Sequence, residues 1–262
     1  MRIVTLTTDF GYQDSYVAEM KGVILGVNSK ARIVDLSHGI QPQHIHEAAF
    51  MIFLSYRYFP RGTIHLVVVD PGVGGSRRII LARTKKHYFI APDNGVLTYV
   101  FNAEKESVAV REITNKKFFN KIMSTTFEGR DKMAPVAGHL SKKSIFSEVG
   151  EKIDDPQLFI THNPVMAKNA VYGEVIYIDH FGNVVTNVTA ALLRGYEVGD
   201  ITINTTVIAG MVPTYSAVQN AVLLATYGSS GFLEIAENCG SAAKRLNAGL
   251  GDKVVIAVRK EH

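Results

Sequence analysis

The sequence predicts an α/β fold followed by an antiparallel β fold, and three observations lead to this prediction. Short apolar runs alternate with helical patterns as far as about residue 160, and turn residues follow several of these runs. From Ala167 onward the runs are short, β-rich and separated by Gly turns. Buried strands with helices between them are typical of a mainly parallel sheet, whereas closely spaced short strands are typical of a barrel or sandwich.

We therefore predict an N-terminal α/β sandwich-like domain with a central, mainly parallel sheet over residues 1–163. A C-terminal antiparallel β-barrel domain is predicted over residues 169–262. The stretch from Ile160 to Lys168 contains Asn163-Pro164 and is the predicted linker.

Hydrophobic periodicity places the elements of the first domain. The first helix is expected to have Asp14 or Ser15 as its N-cap, because short polar side chains favour that position. The predicted elements are a strand at 3–7, a helix at 14–26, a strand at 32–36, a helix at 46–56 and strands at 64–69, 79–81 and 88–91. In the second domain, β-rich runs occupy 174–178, 184–188, 201–208, 221–226, 232–235 and 253–258.

Composition restricts the class of protein. The chain has 262 residues and is 47% hydrophobic, so it can bury a substantial core without covalent links. Cys239 is the single cysteine, which excludes an intramolecular disulfide framework and any multi-cysteine zinc site. The apolar runs are too short to span a bilayer, and we expect a cytoplasmic protein without a membrane partner.

The charge distribution argues against nucleic-acid binding. The net charge is +4, but the basic residues are scattered as pairs such as Arg77-Arg78 and Lys142-Lys143. A nucleic-acid face requires a dense basic stripe. We therefore expect a solvated basic surface and no nucleic-acid partner.

Acidic turns follow the apolar runs of the first domain. Asp9 follows the first run, Asp70 the run at 64–69, and Asp93 the run at 88–91. Ligands of parallel sheets bind beyond the carboxyl ends of the strands. A carboxylate only accepts hydrogen bonds and repels phosphate, so these turns favour a ligand with hydroxyl or cationic groups. The chain is thus predicted to be an enzyme or a binder of a small molecule.

Two other sites remain open from the residues alone. His38, His44 and His46, with Asp35 and Glu47, could form a metal site or simply be surface and helix-start residues. The segment 72–75 could hold an anion at a helix start, although a strand pattern at 79–81 favours a tight hairpin.

An ordered series of motifs gives a resemblance to a known family. The motifs are Thr8-Asp9-Phe10-Gly11 with Asp14, Asp70-Pro71-Gly72-Val73-Gly74 with Arg77, Ala91-Pro92-Asp93-Asn94-Gly95, Thr126-Phe127-x-Gly129-Arg130-Asp131, Ile178-Asp179-x-Phe181-Gly182-Asn183, and Ser229-x-Gly231 with Glu234 and Asn238. In this order they resemble the S-adenosyl-L-methionine hydrolases (adenosine-forming), which are relatives of the fluorinase and chlorinase enzymes. The resemblance extends over essentially the whole chain.

The resemblance implies an α/β domain, a β-barrel domain and a homotrimer whose active sites lie between the N-terminal domain of one subunit and the C-terminal domain of its neighbour. S-adenosylmethionine would be the substrate, with no cofactor and no metal. The implied substrate-binding residues are Asp9 at the ribose hydroxyls, Asp14 toward methionine, Phe127 at the sugar, Asp179 and Asn183 at the amino-acid end, and Ser229, Glu234, Glu237, Asn238 and Cys239 around methionine and adenine.

The reaction implied is attack of one oriented water on C5′ of the ribose. The leaving group is a neutral thioether and needs no proton, so the site must mainly position the water. The family carries an Asp-Arg-His group for this purpose, and Asp70 and Arg77 match its first two members. Glu128 stands in place of the His, where it could serve as a direct general base or could abolish turnover while binding persists.

Two alternatives accompany the hydrolase prediction. A halogenase is disfavoured because Asp70 replaces the fluorinase Tyr and a carboxylate repels halide. Gln43 and Gly129 likewise replace the fluorinase Trp and its halide-contacting Ser. A protein that binds S-adenosylmethionine or adenosine without turnover remains open because of Glu128.

Overall fold

The structure is a computed structural model that describes residues 2–261, except for the side chain of Glu106. The chain divides into two compact units, Met1–Phe159 and Ile160–His262. The helices are α1 Tyr16–Val27, α2 Ile45–Ser55, α3 Thr98–Glu104, α4 Ala134–Lys142 and α5 Ala242–Leu246. The strands of the first unit are β1 Ile3–Thr8, β2 Arg32–Ser37, β3 Ile64–Val68, β4 Ile79–Arg83, β5 Tyr88–Pro92, β6 Ala109–Glu112 and β7 Lys152–Ile153. Those of the second are β8 Val165–Met166, β9 Ala170–Ile178, β10 Val184–Thr189, β11 Tyr196–Ile203, β12 Thr206–Ile208, β13 Leu223–Tyr227, β14 Phe232–Glu237 and β15 Lys253–Lys260.

The first unit is built on a seven-stranded sheet in the order β2-β1-β3-β5-β4-β6-β7. β1 runs parallel to β2 and β3, and β3 runs parallel to β5, as predicted from the helical patterns between them. β4, β6 and β7 are antiparallel additions at one side. The fold class is therefore confirmed as α/β with a mainly parallel core.

Helices cover both faces of this sheet. Along β3, Leu66 and Val68 point into the core that includes α1 and α4, whereas Val67 points into the core that includes α2 and α3. Successive strand side chains point to opposite faces, so a strand buried on both sides is apolar throughout. This explains why β3 is apolar except for the buried His65, and it gives the predicted sandwich-like arrangement.

The hairpin predicted at 72–75 is wrong. β5 lies between β3 and β4 in the sheet, so the segment after β3 leads to a strand that is not its neighbour. The anion-binding alternative also lacks its helix, because the turn leads into β4. The extended turn instead places Asp70 and Arg77 together beyond the end of β3.

The second unit is an antiparallel sheet in the order β12-β11-β15-β9-β10-β14-β13, with β8 paired to β9. The two ends of this order, β12 and β13, approach one another, so the sheet is nearly closed into a barrel. Its interior is filled by aliphatic side chains such as Val188, Ile201 and Leu233. The antiparallel barrel prediction is thereby confirmed.

Several local details differ from the predictions. The run at 201–208 is divided by a turn, where Asn204 has φ of 52°, into β11 and β12. The predicted linker contains β8, which belongs to the second sheet. Ser15 occupies the N-cap of α1 but makes no capping hydrogen bond, because its hydroxyl donates to the Glu19 carboxylate at 2.6 Å.

No helix within residues 2–261 is long and apolar enough to cross a membrane.

Candidate active site

A cavity of about 680 Å³ lies beyond the carboxyl ends of β1 and β3. All of its lining residues come from the first unit. They are Asp9, Phe10, Tyr16, Glu19, Pro42, Gln43, Val68, Asp70, Pro71, Val73, Ser124, Thr126, Phe127, Glu128, Gly129 and Arg130. Four of the residues predicted from sequence thus share one cavity, namely Asp9, Asp70, Phe127 and Glu128.

Arg77 joins the two carboxylates in the wall of this cavity. Its Nε donates to both oxygens of Asp70 at 2.9 Å, and its Nη2 donates to Asp70 Oδ2 at 2.5 Å and also to Glu128 Oε2. The three side chains are only 12%, 5% and 8% exposed, respectively. Charge-assisted contacts of this kind are short and directional, so the three groups form a rigid unit.

Arg77 itself does not line the cavity; it lines a separate cavity of about 570 Å³ that also includes Arg78 and Asp93. The guanidinium therefore lies behind the two carboxylates. Any small molecule in the main cavity would meet Asp70 and Glu128 before it met Arg77.

The pKa values of the cluster reflect this pairing. Burial raises the pKa of Glu128, but hydrogen bonds from Lys132 and Arg77 outweigh that effect and hold it below the ordinary value. Burial lowers the pKa of Arg77, and Asp70 and Glu128 reverse the shift so that it is raised. Both groups are consequently charged throughout the neutral range.

Close packing of two backbone segments brings Asp70 and Glu128 together. Gly74 has φ of 77°, and a Cβ there would lie 2.6 Å from the carbonyl oxygen of Thr125. Only glycine accommodates both constraints, so the turn after β3 packs closely on the loop before Glu128. The Gly74 N–H also points at Glu128 Oε2, at 3.4 Å.

A π-helical turn, Gly129–Met133, follows Glu128 and leads into α4. Such turns are rare and often occur at functional sites. Nothing in the sequence pattern indicated this distortion.

Asp9 is oriented by the backbone of Gln43. The N–H of Gln43 donates to Asp9 Oδ2 at 2.8 Å, and Gln43 has the unusual φ of 67° for a non-glycine residue. The other carboxylate oxygen of Asp9 makes no hydrogen bond within the described part of the chain. Asp9 therefore presents an acceptor at the cavity.

An aromatic cluster forms the neighbouring wall. Phe127 packs edge-on against Phe10 and Tyr16, with ring centroids 5.7 and 5.4 Å apart. Sequence reasoning selected Phe127 but missed the other two rings, and it also missed Glu19 and Arg130, which form an ion pair at 2.8 Å in the cavity wall. The spacing of Tyr16 and Glu19 on one face of α1 was the available signal.

Asp14 is placed apart from these residues. It is exposed and does not line the cavity.

In the second unit, Asp179 and Asn183 form one closed turn. Asp179 Oδ1 accepts the N–H groups of Phe181 and Asn183 at 2.9 and 2.8 Å, and Oδ2 accepts the Asn183 carboxamide at 2.9 Å. Local pairs of this kind fix a turn. Phe181, at 73% exposed, projects from it.

Glu234 is the buried acid of this unit. It is 8% exposed and accepts the Tyr215 hydroxyl at 2.9 Å. Burial, and then the charge of Asp179, raise the pKa of Glu234 despite the opposing Tyr215 hydrogen bond. A Cβ on Gly228 would lie 1.6 Å from Glu234 Oε1, so this glycine makes room for the carboxylate.

The remaining predicted residues lie at the two ends of β14, with Ser229 in the turn before this strand and residues 237–239 at its end. Ser229 is exposed, Glu237 pairs with Arg245 at 2.8 Å, and the Asn238 carboxamide donates to the Val218 carbonyl at 2.8 Å. Cys239 is exposed and has φ of 56°.

The histidines considered as metal ligands have other partners. His44 caps α2 by accepting the Glu47 N–H, His38 contacts the Thr8 hydroxyl at 2.8 Å, and His46 packs on Phe159. No group of three or more His, Cys, Asp or Glu suited to a metal ion occurs in the part of the chain that the structure describes.

Comparisons with known proteins cover nearly the whole chain. The (R)-S-adenosyl-L-methionine hydrolase of Methanocaldococcus jannaschii is 32% identical over 267 residues, which cover 97% of this chain and 95% of that protein. The fluorinase of Nocardia brasiliensis is 28% identical over 98% of this chain and 97% of its own length. An uncharacterized conserved protein from Thermotoga maritima, of known crystal structure, superposes with a TM-score of 0.90 at 36% identity, covering 97% of this chain and 99% of that one.

Family models agree with these relatives. The model of the SAM hydroxide adenosyltransferase N-terminal domain matches residues 4–150, and that of the C-terminal domain matches residues 173–255. Since the two models together span most of its length, the chain belongs to the SAM hydroxide adenosyltransferase family.

Proposed function

We propose that this chain hydrolyses S-adenosyl-L-methionine to adenosine and L-methionine. The observation that carries the proposal is the pair of carboxylates, Asp70 and Glu128, fixed by Arg77 in the wall of a cavity that also contains Asp9. The names of the hydrolase relatives support the same substrate and reaction.

The chemistry suits this arrangement. The water oxygen forms a bond to C5′ while the C5′–S bond breaks and its electron pair remains on the sulfur of methionine. The sulfonium becomes a neutral thioether, so no general acid is required, and the proton lost from the water passes to a carboxylate or to solvent. Oriented acceptors that hold the water in line with the C5′–S bond supply most of the catalysis.

Because Arg77 lies behind the carboxylates, we assign the water contacts to Asp70 and Glu128 and give Arg77 the task of fixing them. Asp9 would accept the ribose hydroxyls through the oxygen that Gln43 leaves available. Phe127, with its aromatic neighbours, would cover the sugar. Asp14, which is exposed near the start of α1, would contact the methionine part of the substrate.

The second unit would supply the rest of the substrate contacts from a neighbouring subunit of a homotrimer. We propose Asp179 and Asn183 for the amino-acid end, and Ser229, Glu234 and the segment 237–239 for methionine and adenine. We further propose that no cofactor, metal, nucleic acid or membrane takes part, and that the protein is cytoplasmic.

A single assay distinguishes hydrolysis from the two alternatives, binding without turnover and halogenation. Purified protein is incubated separately with the (R) and (S) sulfonium epimers of S-adenosyl-L-methionine, with and without fluoride or chloride, and products are separated by chromatography. The proposal expects equal amounts of adenosine and methionine with either epimer or both. Tight binding without product would show a binder, and a 5′-halogenated nucleoside would show a halogenase.

The halogenase outcome is disfavoured by the charges in the cavity. A halide entering it would face the carboxylates of Asp70 and Glu128. A carboxylate repels an anion strongly where water is excluded.

A further inference from the structure

Lys132 contacts the catalytic cluster from the side opposite to Arg77. Its Nζ donates to Glu128 Oε1, while Arg77 donates to Oε2. The two oxygens of one carboxylate are therefore held by two different cations. Lys132 was not selected from the sequence, because a lysine near a helix start has no signature of its own.

The position of Lys132 is fixed by the local fold. It lies four residues after Glu128 on the π-helical turn Gly129–Met133, where residues at that spacing share a face. Its ammonium also lies 5.8 Å from the ring centroid of Phe119. The Lys132 side chain is 28% exposed, so it is partly withdrawn from water.

The charges of the cluster balance only when Lys132 is counted. Asp70 and Glu128 carry two negative charges, and Arg77 and Lys132 carry two positive ones. Besides these residues, the described group that faces the Glu128 carboxylate is the N–H of Gly74. If Lys132 were absent, the two carboxylates would share one guanidinium, and ionised Glu128 would lose one of its two cationic partners.

We propose that Lys132 is a positioning residue of the active site, which orients the Glu128 carboxylate and keeps it ionised while water is bound. This inference rests on the proposed hydrolysis for its kinetic consequence, although the contact itself does not. Lys132 does not line the cavity and is not expected to touch the substrate.

The direction of the pH effect follows from the pairing. Lys132 and Arg77 hold the pKa of Glu128 below its ordinary value against the effect of burial. Replacing Lys132 with an uncharged residue should raise that pKa, because a close opposite charge is lost. Activity that needs the carboxylate would then be lost at a higher pH than in the wild type.

The test compares Lys132→Met with Lys132→Arg and with a matched control, Lys117→Met. Lys117 likewise pairs with a carboxylate, Glu148, at 2.8 Å and lies 4.7 Å from the Phe118 ring, but its partner Glu148 does not line the cavity. The first measurement is a pH titration of ¹³C-labelled glutamate carboxyl groups by NMR, with Glu128 assigned from its absence in Glu128→Gln. The second is the pH dependence of kcat and KM for S-adenosylmethionine hydrolysis.

We expect Lys132→Met to raise the titration midpoint of Glu128 and the acidic limb of the kcat profile by about one pH unit. On the plateau, kcat should fall by about tenfold while KM changes less than twofold, because a misplaced group harms the transition state more than binding. Lys132→Arg should restore both values, and Lys117→Met should alter neither. An unshifted Glu128 midpoint in Lys132→Met, or an equal shift in Lys117→Met, would overturn the proposal.

A change of background gives a second, independent readout. In the Glu128→His background the ion pair with Lys132 no longer exists, so the effect of removing Lys132 should change from a loss of turnover to no loss. The same tenfold loss in both backgrounds would show that Lys132 acts elsewhere. If Lys132→Met does not fold, as judged by its thermal unfolding, Lys132→Gln takes its place.

Failure of this inference is distinguishable from failure of the proposed function. A wild-type protein that yields no adenosine and methionine would refute hydrolysis, yet the NMR titration would still decide whether Lys132 controls Glu128. Conversely, if the wild type hydrolyses S-adenosylmethionine but Lys132→Met leaves the Glu128 midpoint unshifted, only the role of Lys132 is refuted.

Discussion

The two units differ in how they hold their functional candidates. In the first, the cavity residues are fixed by partners far away in sequence, as Arg77 joins Asp70 to Glu128 and Arg130 pairs with Glu19. In the second, Asp179 and Asn183 are fixed within one turn, where Asp179 accepts the amide and carboxamide of Asn183. The cavity of the first unit thus depends on the complete sheet, whereas this turn of the second unit is set by its own residues.

Substitution of Arg77 gives the largest expected effect, because it removes the group that links the two halves of the first unit's cluster. Arg77→Ala should reduce hydrolysis by about 10² or more, since one preorganised electrostatic contact is commonly worth that much. The affinity for adenosine, measured by calorimetry, should change far less.

Arg78→Ala is the matched control for this prediction. Arg78 is the next residue and also pairs with two carboxylates, but its partners Asp93 and Asp155 do not line the main cavity. Near-wild-type turnover in Arg77→Ala, or an equal loss in Arg78→Ala, would contradict the assigned role.

A smaller effect is expected at Asp9, which tests the first unit as a ribose site. Two hydroxyls donating to one carboxylate form charge-assisted bonds of about 1.5 to 3 kcal/mol each, so Asp9→Asn should weaken adenosine binding at least ~tenfold. Calorimetry with 2′,3′-dideoxyadenosine should show little change, and Asp14→Asn should leave adenosine binding intact. Equal losses for both ligands would make Asp9 a structural turn residue.

Mixing of subunits tests whether the two kinds of unit complete one site. Asp70→Ala and Asn183→Ala proteins, each inactive alone, should regain activity after subunit exchange. With random exchange about a quarter of the interfaces would contain both intact halves. Exchange demonstrated by mass spectrometry without recovery would contradict the shared site, and a monomeric mass in light scattering would remove its premise.

Acid should destabilise the first unit through His65. Burial, followed by the nearby His87, lowers the pKa of His65 to about 3. The unfolded histidine titrates near 6.5, so this contribution to stability is complete above pH 6.5 and is lost as pH falls toward 3. By pH 4.5 the loss should be roughly 2 kcal/mol.

His65→Gln should therefore make the free energy of unfolding less dependent on pH, by roughly 2 kcal/mol between pH 7 and 4.5 in urea titrations. The exposed His162→Gln is the control. A pH dependence identical to that of the wild type would show that His65 is protonated in the folded state.

The smallest effect is expected at Glu234, where the second unit should respond to pH in the opposite direction. Its raised pKa means that its contribution to stability is present at low pH and declines as pH rises through the folded pKa. Glu234→Gln retains an acceptor for Tyr215 and should raise Tm by about 2 °C at pH 8 but not at pH 4. Glu237→Gln, which loses the Arg245 pair, should show no such gain, and equal Tm changes at both pH values would contradict the assignment.

Much of the fold was predictable because periodicity and turn residues are local properties. The apolar run of β3 identified a strand buried on both faces, and the change of pattern at Ala167 identified the antiparallel unit. The hairpin prediction at 72–75 failed because sheet order is not local: β5 inserts between β3 and β4, and nothing in the intervening turn encodes that insertion.

For the site, the sequence by itself determined which acids stand at strand ends and which turns carry them, because strand, turn and side-chain charge are written in consecutive residues. Only the tertiary structure decided that Arg77 lies behind the carboxylates, that Lys132 takes the second oxygen of Glu128, and that Phe10 and Tyr16 join Phe127. These contacts depend on how the turn after β3 packs against the loop before α4, and such packing is fixed by the whole sheet and its helices rather than by any one segment.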